Sequence, residues 1–431
     1  MKIAIKTYGC TANTADTETI KGILTTHGHQ ITTETEADII IFNSCAVKGP
    51  TENRIINAIK QTQKTKKTII IGCLPKINAE RLHKETQPNG IAGPSIGENI
   101  IDLLNQVTNN KKTINLQQPQ KEKPPLTLPK INTNPIISIL PINFGCLGSC
   151  SYCAVVFARG KLKSYNIPEI VQRVKTDITT GIHEFWITSQ DTAAYGRDIG
   201  NNLPELLNTI TEIEGNFKVR IGMMTPNMTT DIQSELIKTY KNPKIFKFLH
   251  FPIQSGDDQV LKKMRRFYTV NEFKESITAF RTAIPNLTLA TDIIVGFPEE
   301  TKQAFENTLQ LLKEVKPDIT NVSKFFVRPK TLASKMKEGK VPPEEIKQRS
   351  SIATKLVKQL SFEKNRQWKN WSGDILVEEA GKIRDSWVGR NFAYKPIVVK
   401  SAQNLLGKSL RVRIVEATET YLLGEIENVV I

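Results

Sequence analysis

A chain of 431 residues, 39% of them hydrophobic, is long enough for two to four domains with apolar cores. Six cysteines are too few for a disulfide scaffold, no apolar run approaches the roughly 20 residues that span a bilayer, and Met1–Lys6 runs straight into a strand pattern rather than a signal peptide. The chain is therefore expected to be soluble, cytoplasmic and thiol-reduced. Its net charge of +16 points to a polyanionic partner such as nucleic acid. The excess is spread out: 17 basic against 11 acidic residues in 1–135, 33 against 24 in 136–366, and 9 against 8 thereafter.

Residues 1–110 read as alternating strands and helices. Strand patterns at Lys2–Tyr8, Asp38–Phe42 and Thr68–Ile71 alternate with helical spacing over Asp16–Thr26 and Glu52–Gln63. A β-α-β-α-β order implies a parallel sheet, whose ligands gather at the carboxyl ends of the strands. Cys10, Cys45 and Cys73 each fall just past one of these strands. They are expected to converge on one edge as a three-cysteine metal-cluster site, the plainer alternative being buried core thiols. Residues 111–135 are polar and Pro-rich (Lys121-Glu122-Lys123-Pro124-Pro125) and read as a linker without a core.

From 136 to 366 the alternation resumes. Strands are expected at 136–144, 184–188, 217–223, 246–253, 287–295 and 319–327, with helices at 168–180, 203–212, 271–283 and 301–315 and a long basic helix over 343–366. Six β/α units make a partial, open barrel of the TIM kind, whose functional face is the carboxyl edge. Polar residues and glycines follow its strands: Ser189-Gln190-Asp191, Met224-Thr225-Pro226-Asn227, Gln254-Ser255-Gly256 and Gly296-Phe297-Pro298-Glu299-Glu300. Such groups suit a small ligand with amine, carboxylate and ribose groups, although strand ends need turns in any case. His250 is a possible acid–base group, or a structural strand histidine. No Ser/His/Asp set, P-loop or dinucleotide fingerprint is visible. Residues 367–431 carry five short strand patterns, a small β-barrel in texture, with Arg384, Trp387, Arg390, Tyr394, Lys395, Arg411 and Arg413 available to phosphates and bases.

The first barrel strand runs into Gly145-Cys146-Leu147-Gly148-Ser149-Cys150-Ser151-Tyr152-Cys153. Three thiolates this close can hold one inorganic centre. Zinc prefers four ligands, and the next candidate is His183. On a loop after a strand, a C-x3-C-x2-C triplet resembles the radical S-adenosylmethionine (SAM) enzymes. That resemblance implies a 4Fe–4S cluster on Cys146, Cys150 and Cys153, whose open iron chelates SAM for cleavage to a 5′-deoxyadenosyl radical. Tyr152, Ser189, Gln190, Asp191, Gln254 and Gly296 are the expected cofactor contacts.

The whole chain resembles the methylthiotransferases. Tyr8-Gly9-Cys10 with Asn13 and Asp16-Thr17-Glu18, then Asn43-Ser44-Cys45, Gly72-Cys73 and the Cys146/Cys150/Cys153 triplet match in order. Ala46-Val47-Lys48-Gly49-Pro50-Thr51-Glu52, the run Thr188–Gly200 and His250–Gly256 are most similar to the archaeal and eukaryotic tRNA branch. The resemblance implies a cluster domain (1–110), a linker (111–135), a radical SAM domain (136–366) and a TRAM β-barrel (367–431) that helps hold tRNA. It implies two 4Fe–4S clusters, the auxiliary one on Cys10, Cys45 and Cys73, and SAM as both methyl and radical source. The reaction implied is conversion of N6-threonylcarbamoyladenosine beside the anticodon to its 2-methylthio derivative, with a reductant protein and a sulfur source as further partners. Relatives act instead on isopentenyladenosine or on an aspartate of a ribosomal protein. A different class, a non-catalytic iron–sulfur RNA-binding protein, has no need of an open iron. Three departures stand out: Glu299 and Lys330 occupy positions where the family often has Gly, and Leu332 one where it usually has Pro.

Overall fold

The computed structural model describes residues 1–46, 49–115 and 123–430. Val47, Lys48, Lys121 and Glu122, which figure in the motifs above, lie outside the described residues. The first six strands are β1 (Lys2–Thr7), β2 (Gln30–Ile31), β3 (Ile39–Ser44), β4 (Lys67–Gly72), β5 (Gly90–Ala92) and β6 (Thr113–Asn115). They form one parallel sheet in the order β2-β1-β3-β4-β5-β6. All six residues of β3 are buried, as expected of a parallel strand covered on both faces. Its side chains alternate between two cores. Ile40 and Phe42 pack with Ile55, Ile56 and Ile59 of α2 (Gly49–Thr62), whereas Ile39 and Ile41 pack with Ile20, Ile23 and Leu24 of α1 (Thr11–Thr26). The short α3 (Leu74–Ile77) and α4 (Ala79–Glu85) follow β4, and α5 (Asn99–Thr108) follows β5.

The stretch read as a coreless linker is more closely bound than its composition predicts. Thr113–Asn115 adds the sixth strand, and Leu128 is buried in the core shared by α1 and α5. Backbone amides of Ile131 and Thr133 donate to Glu18, and Arg173 Nη1 donates to the carbonyls of Leu126 and Leu128. A Cβ on Gly22 would lie 2.3 Å from the Pro129 carbonyl carbon. A strap held between two neighbours needs no periodicity of its own, because its partners supply both the core and the hydrogen bonds.

The barrel strands are β7 (Ile137–Pro141), β10 (Glu184–Thr188), β11 (Lys218–Ile221), β12 (Phe248–His250), β13 (Thr288–Val295) and β14 (Ile319–Lys324); the short β8 (Asn143–Phe144) and β9 (Lys163–Ser164) pair with each other beside them. Two parallel sheets, β11-β10-β7 and β12-β13-β14, meet at a bridge between Val219 and Ile245. Phe185, Ile187, Val219, Ile221, Leu249, Leu289 and Ile293 point outward into one large core, which also buries Ala353, Val357 and Leu360 of the long helix Pro343–Arg366. No helix among the described residues is long and apolar enough to cross a membrane.

Strands β15 (Ser372–Ala380), β16 (Ser386–Arg390), β17 (Pro396–Lys400), β18 (Ser409–Ala417) and β19 (Leu422–Val430) close into a barrel ordered β15-β16-β17-β19-β18. The basic and aromatic residues expected to face nucleic acid divide here. Tyr394 packs with Phe246, Phe248 and Ala290 of the larger barrel. Lys395 Nζ is buried 2.7 Å from Asp318 Oδ1 and 3.0 Å from Asn365 Oδ1, and Arg390 Nε is 3.1 Å from Glu378 Oε2. These three dock one barrel on the other, and Trp387 is tied down through its Nε1–H to the Ser401 carbonyl. Arg384, Arg411 and Arg413 stay exposed.

Candidate cluster-binding active site

The Cys146–Cys153 loop is held from three sides. Gly145 has φ +70°, and a Cβ there would lie 2.0 Å from the Lys161 carbonyl oxygen, so only glycine fits. Ser151 N donates to Met264 O (3.0 Å), Ser151 Oγ donates to Lys263 O (2.7 Å), and Ala333 N donates to Ser151 O (2.8 Å). Each sulfur meets one donor. Gly148 N–H reaches Cys146 Sγ at 3.1 Å, Arg266 Nη1 reaches Cys150 Sγ at 3.2 Å, and Val155 N–H reaches Cys153 Sγ at 3.4 Å. Burial pushes the Cys146 thiol up to about 11 and the Cys153 thiol up to about 12. Metal ligation requires the thiolate, so binding a centre here displaces protons.

The donor set fits a cluster rather than one ion. Among the described residues no three His, Cys, Asp or Glu side chains are gathered around a single metal position, whereas structural zinc takes four ligands at ~2.0–2.3 Å. Three thiols with N–H and guanidinium donors on their sulfurs, around a glycine whose missing Cβ would lie 3.2 Å from Cys146 Sγ, are the surroundings of a hydrogen-bonded iron–sulfur cluster.

The expected cofactor contacts fall into two groups. Asp191 is buried, and its Oδ1 accepts from Ala193 N (3.2 Å) and Thr225 N (3.1 Å), so its carboxylate is occupied in tying the loop after β10 to the loop after β11. Ser189 Oγ accepts from Asp191 N at 3.0 Å. Gly296 has φ +79°, and a Cβ there would lie 2.4 Å from Ile346 of the long helix. Tyr152 stacks edge-on against Phe297, ring centroids 6.4 Å apart, and burial raises its pKa well above the ordinary phenol value. Gln254 has φ +74° and joins β13 through Asp292 O and Ile294 N. Gln190 differs from these, because its Oε1 is buried without a partner. His250 Nε2 lies 2.7 Å from Asp292 Oδ2, and Asn321 Nδ2 donates to the other oxygen of Asp292 at 2.8 Å.

Cys10, Cys45 and Cys73 do meet at one sheet edge. Cys10 caps α1 and Cys73 caps α3, while Cys45 follows β3 directly. Cys73 N donates to Ser44 O at 2.8 Å, and a Cβ on Gly9 would lie 2.8 Å from Cys45 Cβ. Asn13 and Asn43 form the buried floor, with Asn13 Nδ2 donating to Asn43 Oδ1 and Asn43 Nδ2 donating to Asn13 O and Thr17 Oγ1. Cys45 and Cys73 are buried and Cys10 is exposed. Burial pushes Cys73 up to about 12, opposed by the Arg159 guanidinium.

Arg159 was not legible as a site residue. It ends α6 (Val155–Arg159), the helix that leaves the Cys146–Cys153 loop, and Ala154 and Ala158 of this segment pack in one core with Cys45 and Cys73. Arg159 Nη2 lies 2.8 Å from Asp16 Oδ2, and Ser95 Oγ donates to Asp16 Oδ1 at 2.9 Å. One short helix thus connects the two cysteine triads. Beside it lies a small pocket, with room for about one water, lined by Ala12, Asp16, Arg159, Thr188, Ser189 and Gln190. Asn143 lines it too, its side-chain amide buried with neither polar atom satisfied. The orphaned polar atoms of Asn143 and Gln190 on its wall leave hydrogen bonds for a water or another small polar group to complete.

Comparison with known proteins agrees with this architecture. Residues 2–93 match the model of uncharacterized protein family UPF0004, residues 140–312 the radical SAM superfamily, and residues 373–426 the TRAM domain. The chain is 39% identical over 429 residues to a probable threonylcarbamoyladenosine tRNA methylthiotransferase of Pyrococcus horikoshii, covering 99% of both proteins. It is 36% identical over 437 residues to the threonylcarbamoyladenosine tRNA methylthiotransferase of Homo sapiens, covering 98% of this chain and 74% of that one. Among solved structures, the radical SAM methyltransferase TsrM of Kitasatospora setae, with cobalamin and a [4Fe-4S] cluster bound, superposes with a TM-score of 0.56 at 12% identity over 77% of this chain and 73% of that chain, a likeness of fold. Full-length identity of this order, with all three domain models matched in sequence, means that the chain belongs to the threonylcarbamoyladenosine tRNA methylthiotransferase family.

Proposed function

We propose that this protein transfers a methylthio group to carbon 2 of N6-threonylcarbamoyladenosine beside the anticodon of tRNA. The observation that carries the reading is the pair of cysteine triads joined by α6, with the unsatisfied side chains of Asn143 and Gln190 beside that helix. Cys146, Cys150 and Cys153 would hold the radical SAM cluster, and Cys10, Cys45 and Cys73 the auxiliary one. When bound, the first would supply the electron for reductive cleavage of SAM, and the second would supply the sulfur to be methylated and transferred.

The chain's own groups do the rest. Gly148 N–H, Val155 N–H and Arg266 stabilise thiolate charge at the first triad. Ser189, Gln190, Gln254 and Tyr152 line the approach for SAM, with Asp191 positioning their loop and Gly296 giving room to the long helix. Asn143 and Gln190 offer the substrate a donor and acceptors on the wall between the triads. Arg384 and Arg413 on the small barrel remain open to tRNA phosphates.

Nucleoside mass spectrometry tests this. tRNA is taken from a host that lacks the modification, with and without the gene expressed. New 2-methylthio-N6-threonylcarbamoyladenosine is the expected product. A methylthio group on isopentenyladenosine alone would keep the chemistry and overturn the substrate. No methylthio nucleoside from protein with both clusters intact would point to a protein target.

A further inference from the structure

Six of the large exposed apolar side chains lie on segments at the cysteine-loop end of the larger barrel. Leu147, Phe157, Phe267, Phe326, Val327 and Leu332 are each more than two-fifths exposed. All lie in the Cys146–Cys153 loop, in α6, or in segments that follow β12 and β14 at the same end of the barrel. Of these six, Phe267 is the most exposed, at 67%.

The segment that carries Phe267 is rigidly held. Met264 and Lys263 accept hydrogen bonds from Ser151 in the cysteine loop. Arg266 points inward to Cys150 Sγ, the Tyr268 hydroxyl and the Pro252 carbonyl, and the Tyr268 hydroxyl donates to Ile253 O at 2.8 Å. Residues 264, 266 and 268 are buried while 265 and 267 face out. Arg265 has φ +56°, a conformation costly for a side-chain-bearing residue, and it leaves the backbone aimed to present Phe267. An aromatic ring fixed in this way loses little freedom when a flat partner lies on it.

Its neighbours are cations. Lys262, Lys263 and Arg265 are exposed; Lys263 is paired with Glu299, whereas Lys262 and Arg265 have no ion-pair partner among the described residues. An aromatic ring flanked by unpaired cations is the pattern that single-stranded RNA recognises, bases stacking on the ring and phosphates meeting the charges. A protein-docking patch is instead depleted of charge at its centre.

We propose that Phe267 is a stacking platform for an unpaired nucleobase of the RNA substrate, with Lys262 and Arg265 on the flanking phosphates. This rests on the tRNA reading above and adds the residue that would hold a base next to Cys150.

The test is anaerobic binding of the reconstituted enzyme to a synthetic anticodon stem-loop RNA containing N6-threonylcarbamoyladenosine, followed by fluorescence anisotropy. Phe267→Ala is expected to weaken binding about five- to a hundredfold. Phe267→Trp should hold binding near the parent value, and Phe267→Leu should lose as much as alanine does. Lys262→Ala with Arg265→Ala should lower the slope of log affinity against log salt by about 1.4, two phosphate contacts on a single strand. Iron content and unfolding midpoint report the fold of each variant. Parent-like binding by Phe267→Ala would overturn the proposal, and so would parent-like binding by Phe267→Leu, which would identify a generic apolar contact. The nucleoside product of the parent enzyme is read separately. Product formation with unaltered Phe267→Ala binding sinks the platform alone; weakened Phe267→Ala binding without any product sinks the reaction and leaves the platform standing.

Discussion

Replacing Arg159 by methionine keeps much of the aliphatic stem and removes the charge that faces Asp16. Both side chains are almost fully buried, at 2% and 7% exposure, so water cannot replace the lost partner. Burial alone would lower the arginine pKa, but Asp16 and the sulfurs of Cys73 and Cys10 outweigh it and hold the guanidinium charged. Breaking a buried ion pair from one side costs ~3–5 kcal/mol, chiefly for the charge left behind. Here the Ser95 hydroxyl still donates to Asp16 Oδ1, which places the expected loss near the low end, ~3 kcal/mol. A domain with ~5–15 kcal/mol of stability would feel that clearly. The assay is anaerobic urea unfolding of Arg159→Met, Asp16→Asn and the double variant, read by circular dichroism. The double variant should be more stable than the sum of the single losses predicts, by ~1–3 kcal/mol. Strictly additive losses, or an Arg159→Met cost below ~1 kcal/mol, would refute the view that this pair braces the join between the two triads.

Cys150→Ala should abolish SAM cleavage, whereas Cys45→Ala should retain some 5′-deoxyadenosine formation and lose the methylthio product; chromatography of both products checks this, and normal product from Cys45→Ala would remove the auxiliary triad from the reaction. Lys330 holds φ +68°, so Lys330→Gly should raise the unfolding free energy by ~0.5–1 kcal/mol in thermal melts, as relief of left-handed backbone outweighs added chain entropy. Glu184 of β10 and Glu378 of β15 meet where the two barrels dock, with Glu184 Oε2 and Glu378 Oε1 both lacking a donor. Burial first, and then Glu378, raises the Glu184 pKa well above the carboxylate range; burial raises Glu378 as well, with Arg390 opposing it. A raised folded-state pKa means that this contribution is complete below the unfolded-state value of ~4.3 and is lost as pH rises through the folded one. The parent's unfolding midpoint should therefore fall toward alkaline pH more than that of Glu184→Gln, whose uncharged amide can donate to Glu378; equal slopes would count against a shared proton.

The local pattern of the sequence determined the elements and the cysteine positions. Short apolar runs set β3 and β10, helical spacing set the helices between them, and Cys10, Cys45 and Cys73 each fell within three residues of a strand's carboxyl end, so a parallel sheet had to bring all three to one edge. Even the departures at Glu299 and Lys330 left the loops intact, since both keep the left-handed backbone that a glycine there would adopt, at φ +64° and +68°. Tertiary structure alone decided what pairs across distance. Arg159 meets Asp16 from 143 positions away, and Glu52, a motif residue, is buried in ion pairs with Arg81 and, 276 positions on, Arg328. It also turned Arg390, Tyr394 and Lys395 from an apparent RNA face into a docking face, and made a core-bearing strap of 123–133. Charge, aromatic content and proline can be read along a chain, but whether a side chain meets water, another barrel or a ligand depends on which surfaces dock, and docking joins residues whose separation no local period encodes.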